Sequence, residues 1–332
     1  MWRPAVCTVL AATVLAAPAH AAPGSGPRET IEIKSSTSAP GSPAGVTYTA
    51  VFHNPSNPSA TPPPLRRLVL VSTPGGRVDT SVPARCTATD AELKQKGEAA
   101  CPAASRIGHG TADVKPAGLP AIHYETVVFN AADQQVELLK GRPPFAPAGV
   151  VRGFYRGRTF DSPIPTCLNG GYVPADCPSD QVTLLRNTVV TPAYTVGSGA
   201  SRRSYITTPP TCSGTRRWRS TGTFHFGDGA VETVALSEPC VPARTRLRVS
   251  PRRVRRLARR RFRFKAEVQL GGNWRPLAGA LIRTGARRLR TDGAGRVSGR
   301  IRFRRSGRRR AVLTLDGYRS ATTRIRVLKR AG

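Results

Sequence analysis

Acidic residues are scarce in this 332-residue chain: 19 Asp and Glu stand against 52 Lys and Arg, for a formal charge of +33. Methionine occurs once and aromatic residues make up 6%, whereas glycine and proline number 32 and 30. This composition disfavours helix bundles and favours many short strands joined by turns. Long apolar runs are missing beyond the N-terminus. No later segment offers the ~20 apolar residues that a spanning helix requires, so no membrane span is expected once a leader is removed.

Catalytic signatures are missing as well. Gly295-Arg296-Val297-Ser298-Gly299 has the wrong spacing for a G-x-S-x-G elbow and lies inside a predicted strand. There is no H-E-x-x-H, EF-hand loop, G-x-G-x-x-G or Walker pattern. Beyond the leader the histidines are His53, His109, His123 and His225, none closer in sequence than 14 residues to another. A surface or core role is expected for each. Asp161, Asp176 and Asp180 sit in cysteine-containing loops and Asp228 in a glycine turn, where turn formation is the default duty of an aspartate. Nothing in the sequence places two of them at glycosidase separation. Neither a helix-turn-helix, a zinc finger nor an RNA-binding aromatic motif occurs, which argues against sequence-specific nucleic-acid recognition. No C-x-x-C occurs and no histidine lies at ligand spacing from a cysteine, so neither a metal nor a cofactor is expected.

What is present starts with an export signal. Arg3 supplies a positive charge, Val6 to Ala17 form a short apolar stretch, Pro18 breaks it, and Ala19-His20-Ala21 is a small-x-small cleavage site. Residues 1–21 are therefore expected to be a signal peptide. Cys7 precedes the apolar stretch and does not read as a lipidation site, and the end at Lys329-Arg330-Ala331-Gly332 has no wall-sorting pattern. A secreted, extracellular or cell-surface location follows.

Six further cysteines remain: Cys86, Cys101, Cys167, Cys177, Cys212 and Cys240. An even number in an exported chain reads as disulfides. Fifteen connectivities are open in principle. Sequential pairing is preferred, because each neighbouring pair closes a short loop.

Charge is segregated along the chain. Residues 243–332 hold 30 of the 52 Lys and Arg against three acids (Glu267, Asp292, Asp316), a local excess of 27. The remainder holds 22 bases against 16 acids. The shift at Cys240-Val241-Pro242 divides a disulfide-bonded body, residues 22–242, from a basic module, residues 243–332.

Period-two alternation dominates from Thr30 onward. Ile31 and Ile33, then Val46, Tyr48, Ala50 and Phe52, alternate with polar neighbours, and Leu68–Val71 reads as a short, more fully buried strand. Further strands are expected at Tyr124–Phe129, Gln135–Leu139, Val150–Tyr155, Val182–Val190, Arg217–Phe226 and Val231–Leu236. One helix is expected over Thr87–Ala100, capped by Thr89 or Asp90 and flanked by Cys86 and Cys101. The fold class is all-β: a sandwich body with one short inserted helix, followed by a small Ig-like or prealbumin-like sandwich. Prolines at 143–144 and 163–165 suggest that the body divides into two subdomains near residues 140–165.

In the module, Phe262, Phe264, Ala266, Val268 and Leu270 oppose Arg261, Arg263, Lys265, Glu267 and Gln269, and Val297 to Phe303 and Thr323 to Val327 repeat the pattern. A one-residue slip would bury the guanidinium row, so register is firmly specified. The arginines solubilise one sheet face and discourage edge pairing. Pro276-Leu277-Ala278-Gly279-Ala280, Thr291-Asp292-Gly293-Ala294-Gly295-Arg296 and Asp316-Gly317-Tyr318 make the segment Thr245–Val327 resemble carboxypeptidase-regulatory-like or bacterial Ig-like domains. The resemblance implies a small accessory sandwich with no catalytic residues. The stretch from Arg85-Cys86 to Ile107-Gly108 resembles secreted proteins of high-GC actinobacteria, which implies no activity.

The candidate binding residues are Arg252, Arg253, Arg255, Arg256, Arg259, Arg260 and Arg261, in a run with eight arginines in twelve residues. Guanidinium groups engage phosphate and carboxylate bidentately. The bland alternative is a solvated loop in an arginine-biased chain. Trp218 and Trp274 are candidate sugar-stacking platforms, with edge packing as the alternative. The functional reading is a non-enzymatic exported protein whose basic module associates with anionic envelope polymers or acidic glycans. The alternative is a secreted hydrolase with an unrecognised site in the body.

Overall fold

The computed structural model describes residues 24–141, 149–165, 167, 182–197 and 201–329. Among these residues the chain is all-β with a single short α-helix. In the body the strands are β1 Gly24–Ser25, β2 Glu29–Ser35, β3 Val46–Phe52, β4 Leu65–Val71, β5 Arg77–Val78, β6 Arg106–Pro116, β7 Ile122–Ala131 and β8 Gln134–Gly141. They continue with β9 Gly149–Arg156, β10 Thr159–Pro163, β11 Val182–Thr191, β12 Thr195–Val196, β13 Arg203–Ser204, β14 Ile206–Thr207, β15 Arg217–Phe226 and β16 Val231–Pro239.

Twelve of these form one antiparallel sheet in the order β1-β2-β3-β11-β6-β7-β8-β9-β10-β4-β15-β16. The sheet curls until its two edges meet. Arg28, beside β2, pairs with Glu232 on β16 and, at 3.0 Å, with Asp228. Ser35 donates its backbone N–H to the Glu238 carboxylate at 2.6 Å. A Cβ on Gly24 would lie 2.7 Å from the Ala235 carbonyl, so glycine permits the closest approach of the edges. Among the described residues no strand ladder joins these edges, and side-chain contacts, with a Val241 N–H to Ser38 carbonyl bond beyond them, close the barrel. Pro143 and Pro144 lie outside the described residues, and Pro163 ends β10 inside the sheet and marks no division there. β8 pairs with β9 and β9 with β10, so these three strands belong to one sheet.

The helix α1 spans Asp90–Lys96, shorter than the expected Thr87–Ala100. Thr89 and Glu92 form a reciprocal capping box at its start. Gly97, at φ +62°, ends it, and a 3-10 turn over Gly97–Ala100 follows. Leu93 carries the excursion into a core with Val127, Phe129, Val136, Leu138 and Val150. The Cys86–Cys101 disulfide closes the excursion at its base. This core lies on the outer face of β7–β9, so on β8 Val136 and Leu138 face outward beneath the helix. Gln135, Glu137 and Leu139 face inward.

The module comprises β17 Thr245–Ser250, β18 Arg253–Arg255, β19 Arg259–Leu270, β20 Asn273–Pro276, β21 Leu281–Thr284, β22 Arg287–Arg290, β23 Arg296–Arg302, β24 Gly307–Thr314 and β25 Ala321–Leu328. One sheet joins β17, β20 and β23 to β19, and the other runs β18-β25-β24-β21-β22. Their inner faces share one core, with Leu247, Phe262, Phe264 and Ile301 from the first and Val254, Ile282, Leu313 and Ile325 from the second. This is a two-sheet sandwich. No ladder among the described residues joins these strands to the barrel. Contact comes through Gly317, whose carbonyl accepts from the Cys212 backbone N–H at 3.4 Å, and through Gly41, which lies against Leu270.

Candidate functional site

Alternation places arginine on both outer faces of the module. On the first sheet, Arg259 stands directly opposite Arg302, Arg261 opposite Arg300, and Lys265 opposite Arg296. On the second, Arg253, Arg326 and Arg308 line up across three adjacent strands, and Arg324 stands opposite Arg310. Neighbouring strands lie ~4.8 Å apart, so these side chains form dense cationic rows. Like charges directly opposite each other destabilise a sheet.

Counter-charge is nearly absent. The module's ion pairs among the described residues all converge on Glu267, held by Arg246 at 2.6 Å, Lys265 at 3.0 Å and Arg248 at 3.4 Å. The sequence pattern put Glu267 on the wet face, but it is 5% exposed, because three cations close over it. The Arg246 hydrogen bond, against the cost of burial, holds its pKa down at about 2. Asp292 is spent on the backbone N–H groups of Ala294 and Arg296 in the hairpin turn.

The arginine run from 252 to 261 is not a loop. Arg253 and Arg255 flank buried Val254 on β18, whereas Arg259, Arg260 and Arg261 belong to β19 in the other sheet. Arg252 precedes β18 and Arg256 falls in the crossover. The structure therefore divides the run between two sheets. Each part joins arginines distant in sequence: Arg253 meets Arg308 and Arg326, and Arg259 and Arg261 meet Arg302 and Arg300. Sequence proximity missed those partners, although strand alternation around Arg300 and Arg326 carried the signal.

Trp218 is not a stacking platform. It is 3% exposed, donates Nε1–H to the Thr211 carbonyl at 2.9 Å, and packs on the Cys212–Cys240 disulfide. Trp274 is 37% exposed, with the Arg246 guanidinium 4.2 Å from its ring centroid. Cys167 is also disulfide-bonded, while Cys177 lies outside the described residues. So do Asp176 and Asp180. Asp161 lies on β10 and not in a loop, where Arg67 grips it in a fork with both distances 2.7 Å. That bond keeps its pKa below the usual range. Asp228 sits in the expected turn and pairs with Arg28.

The barrel interior is the other candidate. It encloses a cavity of about 310 Å³ that opens near exposed Arg77, Gly157 and Arg158. No histidine lines it among the described residues. Two carboxylates do, Glu137 and Glu238, but they have separate partners. Glu238 accepts from Ser35 and Glu137 from the Gln135 amide, the latter at 2.9 Å. Burial raises the pKa of each. No paired arrangement of acid and nucleophile emerges from these residues.

No protein-family model matches the sequence, and no curated protein matches it. Several solved structures are similar at low scores. The T6 backbone pilin of serotype M6 Streptococcus pyogenes aligns at 9% identity over 90% of this chain and 51% of its own, TM-score 0.27. A membrane anchored protein from Corynebacterium diphtheriae aligns at 8% identity over 91% of this chain and 54% of its own, TM-score 0.23. The D00-D0 domain of intimin aligns at 13% identity over 41% of this chain and 77% of its own, TM-score 0.20. The chain thus spans about half the length of the first two. At these scores the alignments carry no argument about the task of this chain.

Proposed function

We propose that this is a non-enzymatic, exported, surface-associated protein whose basic sandwich holds it against anionic envelope polymers or acidic glycans. The supporting observation is the set of cross-strand arginine rows without counter-charge, Arg253–Arg326–Arg308 on one face and Arg259–Arg302 with Arg261–Arg300 on the other. Rows of this kind are costly unless an anion neutralises them. A repeating polyanion engages several guanidinium groups at once and releases condensed counterions. The disulfides and the leader favour an oxidising, extracytoplasmic location.

The test is retention of the full chain on immobilised teichoic acid over a salt series. A steep fall with salt is expected, with a slope that decreases by about one for each neutralising arginine removed. The triple variant Arg253→Ser, Arg308→Ser, Arg326→Ser measures that change. Retention that ignores both salt and the triple substitution would refute the reading.

A further inference from the structure

The barrel interior holds a polar cluster that the surface reading does not use. Tyr205 donates to Tyr155 at 3.5 Å, Tyr155 to the Gln135 carbonyl at 3.0 Å, and the Gln135 amide to Glu137 at 2.9 Å. Every donor in this relay points toward Glu137 and ends there. The Asn187 side chain lies beside Glu137 and favours its ionised form, against the larger opposing effect of burial. The Asn187 amide N–H₂ must therefore face the carboxylate, since turning the amide would set oxygen against oxygen. That orientation leaves Asn187 Oδ1 buried without a partner.

An unpartnered buried acceptor costs free energy, and so does a carboxyl enclosed with only neutral donors around it. Among the described residues no lysine or arginine lines the cavity at this depth. Arg77 and Arg158, the cationic side chains lining the cavity, are exposed at the rim. The remaining wall is mostly apolar, with Ile33, Leu68, Leu70, Val114, Leu139 and Val151 around the cluster. Ligand sites combine this size, an apolar wall and a few convergent polar groups. Free acceptor capacity at the centre calls for a donor on the occupant.

We propose that the barrel binds a small molecule with an apolar body and one protonated amine, the amine seated on the Glu137 carboxylate where Asn187 flanks it. Non-specific attraction does not compete with this site, because a chain of charge +33 repels cations from its surface. Saturable uptake of an amine therefore reports the interior.

Calorimetric titration of the full chain with hexylamine, hexanol and hexanoate tests the proposal. Hexylamine is expected to bind at one site, at least tenfold more tightly than hexanol or hexanoate. Glu137→Gln keeps the shape and the Gln135 contact, and it should weaken hexylamine at least tenfold while leaving hexanol unchanged. Leu139→Trp, which fills the cavity and keeps both Glu137 and Asn187, should abolish uptake of all three, and circular dichroism confirms that each variant is folded. Should Glu137→Gln fail to fold, Asn187→Leu replaces it with the same expectation. Equal or tighter binding of hexanoate, no saturable hexylamine binding, or hexylamine affinity unmoved by substitution at Glu137 and Asn187 would each overturn the assignment.

Discussion

The Glu29 carboxyl lies against Glu232 at the seam where β2 meets β16. A Cβ on Gly26 would sit 2.4 Å from Glu29 Oε1 and 2.7 Å from Glu232 Oε2, so both carboxyls crowd one glycine. Glu29 is fully buried and neither of its oxygens has a donor. Burial first, and the Glu232 neighbour second, push its pKa up to about 8.

That pKa makes stability depend on pH. An unfolded glutamate loses its proton near 4.5, whereas folded Glu29 keeps its proton until about 8. Between those values the folded state binds more protons, so stability falls as pH rises and levels off above about 8. Glu29→Gln should remove the decline and stabilise the protein by roughly 1–3 kcal/mol at pH 8, with little effect at pH 4. Urea unfolding at both pH values measures this. Equal gains at the two pH values would show that Glu29 titrates normally.

Glu267 carries the opposite sign. Its folded pKa of about 2 lies below the unfolded value, so its contribution is present above about 4.5 and is lost as pH falls toward 2. Glu267→Gln removes the one carboxylate shared by Arg246, Lys265 and Arg248. A loss of about 1–3 kcal/mol is expected at pH 7, shrinking toward pH 2. Denaturant midpoints across that range decide the matter.

These two carboxylates mark how far alternation carries. It located the strand that carries Glu267 and the inward row from Phe262 to Val268, because one face of the sandwich is wet. It misplaced Glu267 itself, since burial there depends on three cations from two strands. On β8 the pattern was legible and its sense was not. Val136 and Leu138 are the apolar set, yet they face outward, because residues 86–101 fold back over that surface. The inward residues Gln135 and Glu137 look like an ordinary solvated face until the covering excursion is known. Asn187 and Tyr48 reach the same cavity from β11 and β3, strands distant in sequence that pair directly, a convergence set by long-range strand pairing and invisible to local spacing. β6 escaped sequence reading because glycines at 108 and 110 interrupt its alternation, and β10 because it is only 5 residues long.

The Cys212–Cys240 disulfide closes a loop of 28 residues and forms the wall on which Trp218 packs. Chain entropy alone makes such a link worth about 3–4 kcal/mol. The double variant Cys212→Ala, Cys240→Ala should lose that amount, and Trp218 fluorescence should shift to the red as its pocket loosens. Cys212 also donates to the Gly317 carbonyl in the module. The variant should therefore raise hydrogen exchange at the residue-212 N–H, which makes that bond, and at the Tyr318 N–H beside its acceptor. Protection unchanged at both residues would mean that the body does not brace the module through this contact.

The final expectation separates the cost of the arginine rows from their use. Arg261 and Arg300 face each other on adjacent strands without a carboxylate between them, and Arg261 is tied to the Ser298 hydroxyl at 3.0 Å. Replacing Arg300 with Glu turns a like-charge pair into an opposite pair, which should raise stability by about 0.5–1 kcal/mol at low ionic strength. The gain should shrink at 1 M salt, where screening acts over roughly 3 Å. If the face serves an anionic polymer, the same Arg300→Glu change should weaken retention on teichoic acid and flatten its salt dependence. Arg300→Thr should show a smaller gain in stability and a smaller loss in retention. A row kept for solubility alone predicts the gain in stability without any loss of retention, so calorimetry and the matrix assay on one pair of variants tell the two uses apart.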